Sequence, residues 1–383
     1  MLAVALLRDA LPEVAVAVDV APAHVLNRVV PMRAIGAGLD AENPGSVPEI
    51  YGPADVTAMR GAGLGPVTYR LYTELSVQDW HWNPRGSWSD AARGEGYWTG
   101  SALPGATITD SYGYRLPERG DTHDQGNDGD YSRLDDGNPA TYWKSNPYLT
   151  QPFTHEADAL HPQWVIVDLG ARRAIDAVAL TWANPYATDY RVQYWNGPDA
   201  MYSPANGRWI DFPGGVVSGG TGGKVVLTLG RAPLSVEFVR VRMSASSGTC
   251  DSHGSADARN CLGYALGEIG LGTLDGSGAF HDVIRHARNR SQTVTYASST
   301  DPWNAPPDRV TNEVQPGLDA VFDSGVTGGL PALVPVSLLY GTPDDAAAEI
   351  AYLQARGDVL RGVELGEEPD GQFVAPEDYA ALY

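Results

Sequence analysis

Basic residues, cysteines and long apolar runs are all scarce in this chain of 383 residues. Lys and Arg number 26 against 47 Asp and Glu, which gives a formal net charge of −21. Nucleic acids and anionic membranes both bind basic surfaces, so this balance disfavours them as main partners. No stretch of about 18 apolar residues occurs, and we therefore predict no transmembrane segment. The acidic balance fits a protein that acts on a neutral or cationic ligand.

The only cysteines are Cys250 and Cys261, in a loop rich in Gly, Ser and Asp. A disulfide closes a span of this length easily, whereas a zinc site would need a CxxC pair or accompanying histidines. We predict a disulfide, and with it an extracellular or periplasmic location. The N-terminal apolar run is interrupted by Arg8 and Asp9 and has no positive segment before it, so it is not typical of a signal peptide.

Phenylalanine is also scarce, with 6 Phe against 10 Trp and 19 Tyr. Flat rings with a polar edge suit surfaces that stack on sugars, and all-β cores use the same residues. Composition alone leaves both interpretations open.

Three blocks follow one another along the chain. Residues 28–75 read as strand, helix and strand, residues 76 to about 290 as short alternating strands with Gly and Pro turns, and residues from 313 onward again as alternating helices and strands. Such alternation predicts a parallel sheet with helical crossovers, and the middle block reads as a separate β domain inserted after the second strand.

The clearest helix is predicted in TPDDAAAEIAYLQARG. Thr342 is positioned to cap its N-terminus, and Gly357 to end it. Ala346, Ile350 and Leu353 follow helical spacing and are expected to form its buried stripe.

The middle block carries four motifs that occur together, DGNPATYW, QWVIVDLG, YRVQY and YALGEI. Val165, Val167 and Leu169 alternate with less buried positions as in a half-buried strand. SGGTGGK (218–224) reads as a hairpin turn.

These motifs resemble the coagulation factor 5/8 type C, or discoidin, domain, over roughly residues 125–275. The resemblance implies a jelly-roll β-sandwich of the kind widely used as a carbohydrate-binding module, and a structural Ca²⁺. Its ligands would be the Asp136 and Thr141 side chains, the carbonyl groups near Arg133 and Asn138, and Glu268; an Asx turn beside a solvated Glu268 is the alternative. Calcium prefers such a mixture of carboxylate and carbonyl oxygens.

In such domains, sugars bind at variable loop tips. Tyr186 is a candidate for this contact, together with Trp195 and Tyr202.

A pair of glutamates, Glu367 and Glu368, ends the strand in VELGEEPDG. In a parallel α/β barrel, catalytic groups lie at the carboxyl ends of the strands. The motif resembles the fourth strand of the clan A glycoside hydrolases, (β/α)8 barrels with an Asn-Glu-Pro motif. By this resemblance Glu368 is the acid/base, and Glu367 occupies the usual asparagine position.

Arg70, at the end of the second strand, matches the arginine that holds the nucleophile in many members of this clan. The alternative is an ion pair within the barrel, with Glu364 as the partner. Trp80, His81 and Trp82 follow the same strand and are the candidate aromatic sugar subsite, or else a packed hinge under the inserted domain.

The sequence thus predicts a multidomain protein in which the N-terminal half of a (β/α)8 TIM-type barrel is interrupted by an all-β discoidin-like jelly-roll sandwich. A complete barrel needs eight strands, and a retaining glycosidase needs a second carboxylate about 5 Å from the first. Only four strands are predicted, so we expect the N-terminal part of a longer glycoside hydrolase-like protein, inactive as a fragment. The predicted segments are 1–27 (leader remnant), 28–75 (strands one and two), 76–124 (aromatic connection), 125–275 (discoidin-like domain), 276–312 (connection) and 313–383 (strands three and four).

Two functions remain open at this point. One is a secreted glycoside hydrolase-like protein that acts on or binds carbohydrate. The other is a non-catalytic extracellular carbohydrate-binding or adhesion protein.

Overall fold

The computed structural model describes residues 21–24, 36–40, 42–70, 78–100, 112–115, 131–309, 313–367 and 374–382. The predicted acid/base Glu368 lies outside these residues, as do nearly all of segment 1–27 and parts of segments 28–75 and 76–124.

The described chain is mostly β-structure. The strands, in chain order, are β1 (Ala37–Leu39), β2 (Val67–Tyr69), β3 (Gln78–His81), β4 (Ser87–Asp90), β5 (Glu95–Thr99), β6 (Tyr112–Arg115), β7 (Trp143–Lys144), β8 (Gln163–Ile175), β9 (Ala177–Trp182), β10 (Ala187–Asn196), β11 (Arg208–Val217), β12 (Lys224–Thr228), β13 (Leu234–Ser246), β14 (Ala265–Leu274), β15 (Phe280–Asp282), β16 (Val294–Ala297), β17 (Ala332–Val336) and β18 (Leu360–Leu365).

Helices are few and mostly short. The α-helices are α1 (Val47–Ile50), α2 (Pro53–Gly61), α3 (Gln151–Thr154), α4 (Leu318–Asp323), α5 (Pro343–Arg356) and α6 (Pro376–Ala381). Single 3₁₀ turns are Pro22–His24, Pro147–Leu149, Asp158–Leu160, Pro204–Asn206, Ala258–Cys261 and Pro306–Asp308. Among these described helices, none combines the length and the apolar character needed to cross a membrane.

Two antiparallel sheets form a sandwich in the middle of the chain. One sheet has the strand order β11-β10-β13-β8-β16, and the other has the order β12-β9-β14-β15 with β7 also paired to β14. Val165, Val167 and Leu169 point into the apolar core between the sheets, as their alternation predicts, while Ile166 belongs to a second cluster on the other face of its sheet. The predicted β-sandwich is therefore present.

The segment 218–224 was predicted as a hairpin turn, and this prediction is wrong. Strands β11 and β12, which it joins, lie in different sheets and do not pair with each other. The glycines carry the chain from one sheet of the sandwich to the other, and Gly219, Gly222 and Gly223 all have positive φ angles.

A separate four-stranded sheet has the order β1-β2-β17-β18, and all its strand pairs are parallel. Its first two strands precede the sandwich in the chain and its last two follow it. The four strands predicted as consecutive barrel strands therefore lie side by side in chain order. Closure of this sheet into a barrel remains a prediction.

Helix α5 has the predicted ends. The Thr342 hydroxyl accepts a hydrogen bond from the Asp345 amide at 3.2 Å, and Gly357 ends the helix with a φ of 82°. Both features are set by local sequence.

The buried face of α5 differs from the predicted stripe. Leu353 is buried as expected, but Ala346 and Ile350 are only half-buried. The face that packs inward also carries Asp345 and Glu349, which are 3% and 1% exposed. The helix therefore buries two carboxyl groups on the same face as Leu353, which the apolar stripe alone did not predict.

The sandwich contacts the α/β part through buried polar groups. The Asn146 amide donates to the Leu339 carbonyl at 2.5 Å, and His161 Nδ1 lies 2.8 Å from Asp378 Oδ1. Lys144 Nζ in β7 contacts the Tyr97 hydroxyl in β5 at 3.1 Å. These contacts hold the hairpin β4–β5 and the C-terminal helix α6 against the sandwich.

Candidate functional site

The carboxyl edge of the parallel sheet brings three charged side chains together. Arg70 follows β2, Asp40 follows β1, and Glu367 follows β18. Arg70 Nε donates a hydrogen bond to Glu367 Oε1, and its Nη1 lies 3.5 Å from Asp40 Oδ1. Glu367 is only 2% exposed. Arg70 thus pairs with Glu367 and Asp40 rather than with Glu364.

The structure joins two of the three predicted catalytic residues, Arg70 and Glu367, at one edge. The third, Glu368, is outside the described residues, so its position relative to Arg70 remains a prediction.

The candidate sugar subsite on β3 is covered by other parts of the chain. Trp80, His81 and Trp82 are 2%, 1% and 1% exposed. The Trp82 indole N–H donates to Asp345 Oδ1 at 3.2 Å, and its ring lies 5.4 Å from that of Tyr352. These side chains have no face open to a sugar in this structure. The alternative interpretation, a packed hinge, describes their surroundings.

Buried carboxyl groups lie beside this hinge. His81 Nδ1 is 3.6 Å from Asp345 Oδ2. Burial, together with the neighbouring Asp345, raises the pKa of Glu349 well above its ordinary value. The interior of the α/β part is therefore rich in charged and protonatable groups.

The predicted calcium loop brings its side chains together. Asp136 Oδ1 accepts from the Asn138 amide at 2.7 Å. The Thr141 hydroxyl lies 2.9 Å from Asp136 Oδ2 and 2.9 Å from the Asn138 carbonyl. Arg133 lies at the start of the same loop.

Glu268 approaches this loop from β14. Its Oε1 is buried without a hydrogen-bond partner, and its Oε2 lies 3.0 Å from His286 Nδ1. Hydrogen bonds to Asp282 and Glu268 raise the pKa of His286 to about 10. Burial raises the pKa of Asp135 to about 8; His286 opposes this rise, whereas Glu268 and Asp136 add to it.

An oxygen-rich set with an unsatisfied buried carboxylate oxygen suits a hard cation. Within the described ranges, no group of three or more His, Cys, Asp and Glu side chains has metal-binding geometry. A cation here would therefore depend on hydroxyl and carbonyl oxygens as well as carboxylates. The pairing of His286 with Glu268 could not be predicted from a short segment, because Glu268 comes from the separate strand β14.

The predicted disulfide between Cys250 and Cys261 is present. The loop that it closes lies beside the hairpin β4–β5 and Trp303, and the three enclose a cleft of ≈ 330 Å³. The His253 and Trp303 rings stack in its wall with centroids 3.8 Å apart. Asn260 Oδ1 is buried there without a hydrogen-bond partner.

Of the three loop-tip residues predicted to contact sugar, Tyr202 is 74% exposed, Trp195 is buried at 6% exposed, and Tyr186 is a packing residue in this structure. It is half-buried at the edge of the sandwich core, and its ring lies against Gly222. A Cβ atom at position 222 would come within 2.6 Å of the ring, so this glycine allows the close approach.

The comparison with protein families agrees with the β-sandwich. Residues 119–255 match the model of the F5/8 type C domain, and the chain thus contains a domain of this type. No curated protein matches the chain.

Among solved structures, chitosan-binding module 1 from a chitosanase/glucanase of Paenibacillus sp. IK-5 is 23% identical, with a TM-score of 0.28 over 39% of this chain and 89% of that one. Module 2 of the same enzyme, in complex with chitotriose, is 23% identical, with a TM-score of 0.28 over 38% and 88%. CpGH89CBM32-6, produced by Clostridium perfringens, is 16% identical, with a TM-score of 0.24 over 38% of this chain and 86% of that one.

Proposed function

We propose that this chain binds carbohydrate through its F5/8 type C domain, in the cleft between the disulfide loop, the hairpin β4–β5 and Trp303. The family match supports carbohydrate binding in general. The observation that carries the location is Asn260 Oδ1, a buried acceptor with no partner that lies in the lining of this cleft. A buried acceptor without a donor is costly, and a sugar hydroxyl supplies the missing donor.

The cleft has the chemistry of a small-molecule site. Its volume of ≈ 330 Å³ falls in the range of about 300–1,000 Å³ typical of ligand pockets. The stacked pair of Trp303 and His253 supplies an apolar surface. The cleft is also lined by three acidic residues, Asp90, Glu95 and Asp257, against one basic residue, Arg93. This lining favours a neutral or cationic sugar over an anionic one.

Titration calorimetry with neutral and amino-sugar oligosaccharides tests the cleft. We expect Trp303→Ala and Asn260→Ala each to weaken binding at least tenfold. The control is Leu160→Ala, which removes an apolar side chain that is 63% exposed outside the cleft lining. Unchanged affinity in Trp303→Ala, with the control also unchanged, would contradict this location.

We further propose that Asp136, Thr141 and Glu268, with carbonyl groups near Arg133 and Asn138, hold a structural Ca²⁺. The unsatisfied Glu268 Oε1 and the oxygen-only donor set support this. A bound cation would stabilise the folded domain by about 2.7 kcal/mol at a hundredfold excess over its Kd. We expect added Ca²⁺ to raise the melting temperature and Glu268→Gln to abolish the rise; an equal rise in both proteins would contradict the site.

A second candidate function is glycoside hydrolysis, with Glu368 as acid/base. The Arg70–Glu367 pair at the carboxyl edge of a parallel sheet supports it, because catalytic groups of α/β barrels lie at that edge. The test is turnover of an aryl glycoside by the protein and by its Glu368→Gln variant. Equal turnover would leave a non-catalytic binding or adhesion protein as the function of the chain. The disulfide fits an oxidising compartment for either function.

A further inference from the structure

The outer face of the five-stranded sheet carries a second cluster of large side chains. Side chains alternate between the two faces of each strand, so those that do not enter the core collect on this face. The cluster consists of Ile166, Trp195, Ala200, Phe238 and Tyr296, with Trp164, Met201, Trp209 and Val294 packed against it.

Arginines border this cluster. Arg191 in β10 lies directly opposite Arg242 in β13, and Gln193 lies opposite Arg240 in the same strand pair. Together with Arg208 at the start of β11, they place four guanidinium groups on neighbouring strands. This concentration is local, since the chain as a whole has a net charge of −21.

A shallow groove of ≈ 610 Å³ follows this face. Its lining residues are Arg191, Gln193, Arg208, Trp209, Ile210, Asp211 and Arg242. Asp211 is the one acidic residue among them, against three arginines, so the lining carries a net positive charge of about two.

Asp211 is already engaged by its neighbours. Its two oxygens lie 2.5 Å from Arg191 Nη1 and 2.8 Å from Gln193 Nε2. Arg208 and Arg242 make no hydrogen bond or salt bridge to any residue in the described part of the chain. Arg242 is half-buried as well. Burial and the nearby Arg191 lower its pKa, and Asp211 and Tyr264 partly oppose this change.

Like charges directly opposite each other on paired strands destabilise a sheet. A half-buried guanidinium without a partner adds a desolvation cost. Asp211 offsets part of the repulsion through its contact with Arg191. An anionic group bound between Arg191 and Arg242 would lower both remaining costs, and guanidinium groups bind carboxylates in a bidentate manner. The polar part of this groove is therefore complementary to an anion.

The apolar part of the groove suits a flat ring. The Arg240 guanidinium lies 4.4 Å from the Trp209 ring centroid, and Trp195 and Trp209 have centroids 5.2 Å apart. Arg240 also donates two hydrogen bonds to Gln193 Oε1, at 2.9 and 2.6 Å. These contacts hold the aromatic and amide groups in place before any ligand arrives.

We propose that this groove is a second binding site, specific for an oligosaccharide with carboxylate or sulfate groups. One anionic group contacts Arg191 and Arg242, a sugar ring lies along Trp209, and ring hydroxyls bond to Gln193 and Asp211. The site is separate from the cleft between the disulfide loop, the hairpin β4–β5 and Trp303, and the two share no lining residue. The negative charge of the rest of the chain disfavours a long polyanion such as nucleic acid.

Titration calorimetry of the full chain tests the groove, with tetragalacturonate and a sulfated oligosaccharide as anionic probes. A neutral tetragalactoside, citrate and single-stranded DNA are the comparison probes. We expect Arg242→Gln to weaken binding of the anionic sugar at least tenfold, and Trp209→Ala to weaken it similarly. The matched control, Arg173→Gln, removes an exposed arginine elsewhere on β8 and should change the affinity less than twofold. Melting curves show whether each variant is folded.

Binding of either anionic sugar that Arg242→Gln lowers and Trp303→Ala leaves intact supports the proposal, and it separates this site from the cleft. The proposal is overturned if neither anionic sugar binds, or if Arg242→Gln binds like the unmodified protein. It is also overturned if citrate or the neutral sugar binds as tightly, or if DNA binds more tightly.

Discussion

The interiors of the two parts of this molecule differ in chemistry. The space between the sheets of the sandwich is filled by apolar side chains such as Val167, Leu180 and Leu271, each 0% exposed. The α/β part buries its own apolar cluster and, beside it, the carboxyl groups of Asp345 and Glu349.

Apolar side chains and carboxyl groups have different effects on stability when they are buried. Apolar burial stabilises a shape without regard to pH. A buried carboxyl group costs stability unless it is paired or protonated. The buried carboxyl groups of the α/β part therefore indicate that the placement of these groups matters more there than the stability they cost. The sandwich is thus built as a stable scaffold with binding groups on its surfaces, whereas the α/β part positions charges in its interior.

Lys144 and Asp135 are buried charged groups of the sandwich and are exceptions to this contrast. Lys144 tests the contrast most strongly. It is fully buried at the boundary of the sandwich, 3.1 Å from Asp251 Oδ2 and 3.5 Å from Asp301 Oδ2. Lys144→Ala leaves two buried carboxylates without their cation and should cost about 3–5 kcal/mol in urea unfolding at pH 7. The control is Lys224→Ala, an exposed lysine of the sandwich. A loss below about 1 kcal/mol would show that these carboxylates find other partners.

Leu180→Ala probes the apolar interior itself. Removal of this buried side chain should cost about 2–5 kcal/mol, by an amount that does not vary with pH. Val226→Ala, on the neighbouring strand and 46% exposed, should stay within about 0.5 kcal/mol of the unmodified protein. Equal losses in the two variants would mean that the sandwich core is not the source of stability.

Glu349→Gln probes the charged interior. The Glu349 carboxyl group of the folded protein stays protonated at pH values above 4.5, the ordinary glutamate pKa, whereas the unfolded chain loses this proton there. Stability therefore falls as the pH rises from about 4.5 towards the raised pKa, and glutamine removes this loss. We expect Glu349→Gln to raise the melting temperature above that of the unmodified protein, and to raise it more at pH 7 than at pH 4. Thermal unfolding scans at both pH values measure this difference. The control is Glu49→Gln, at an exposed glutamate. A pH-independent effect in Glu349→Gln would contradict the assignment.

Arg93→Ala should have the smallest effect. This arginine is 65% exposed and pairs with Asp90 at 2.7 Å and with Glu95 at 2.5 Å in the hairpin β4–β5. Exposed ion pairs contribute about 0.2–1 kcal/mol, and salt screens them. Urea unfolding at low and high salt checks this. A decrease of more than about 2 kcal/mol in the free energy of unfolding would mean that these ion pairs act as buried ones.

Several features could be predicted because nearby residues encode them. The caps of α5 at Thr342 and Gly357, the alternation in β8 and the pairing of Cys250 with Cys261 each depend on a short stretch of chain. The F5/8 type C domain was predictable from four motifs that occur together.

The candidate sites were less predictable, because their residues meet only after folding. Arg70 was expected to pair with Glu364 in the alternative interpretation, but the turn after β18 presents Glu367. Trp82 was expected near a sugar, but helix α5 covers it and supplies Asp345 as its hydrogen-bond partner.

The amino-acid order on its own specifies the alternation of the sandwich strands, the disulfide and the caps of α5, since periodicity, turn residues and spacing act over a few positions. Tertiary structure alone decides which charges are buried and which arginines meet. Arg191, Arg208 and Arg242 come from three separate strands, and the register between those strands creates the groove. Pairing across a sheet sums contacts over many residues, and no short segment carries that information.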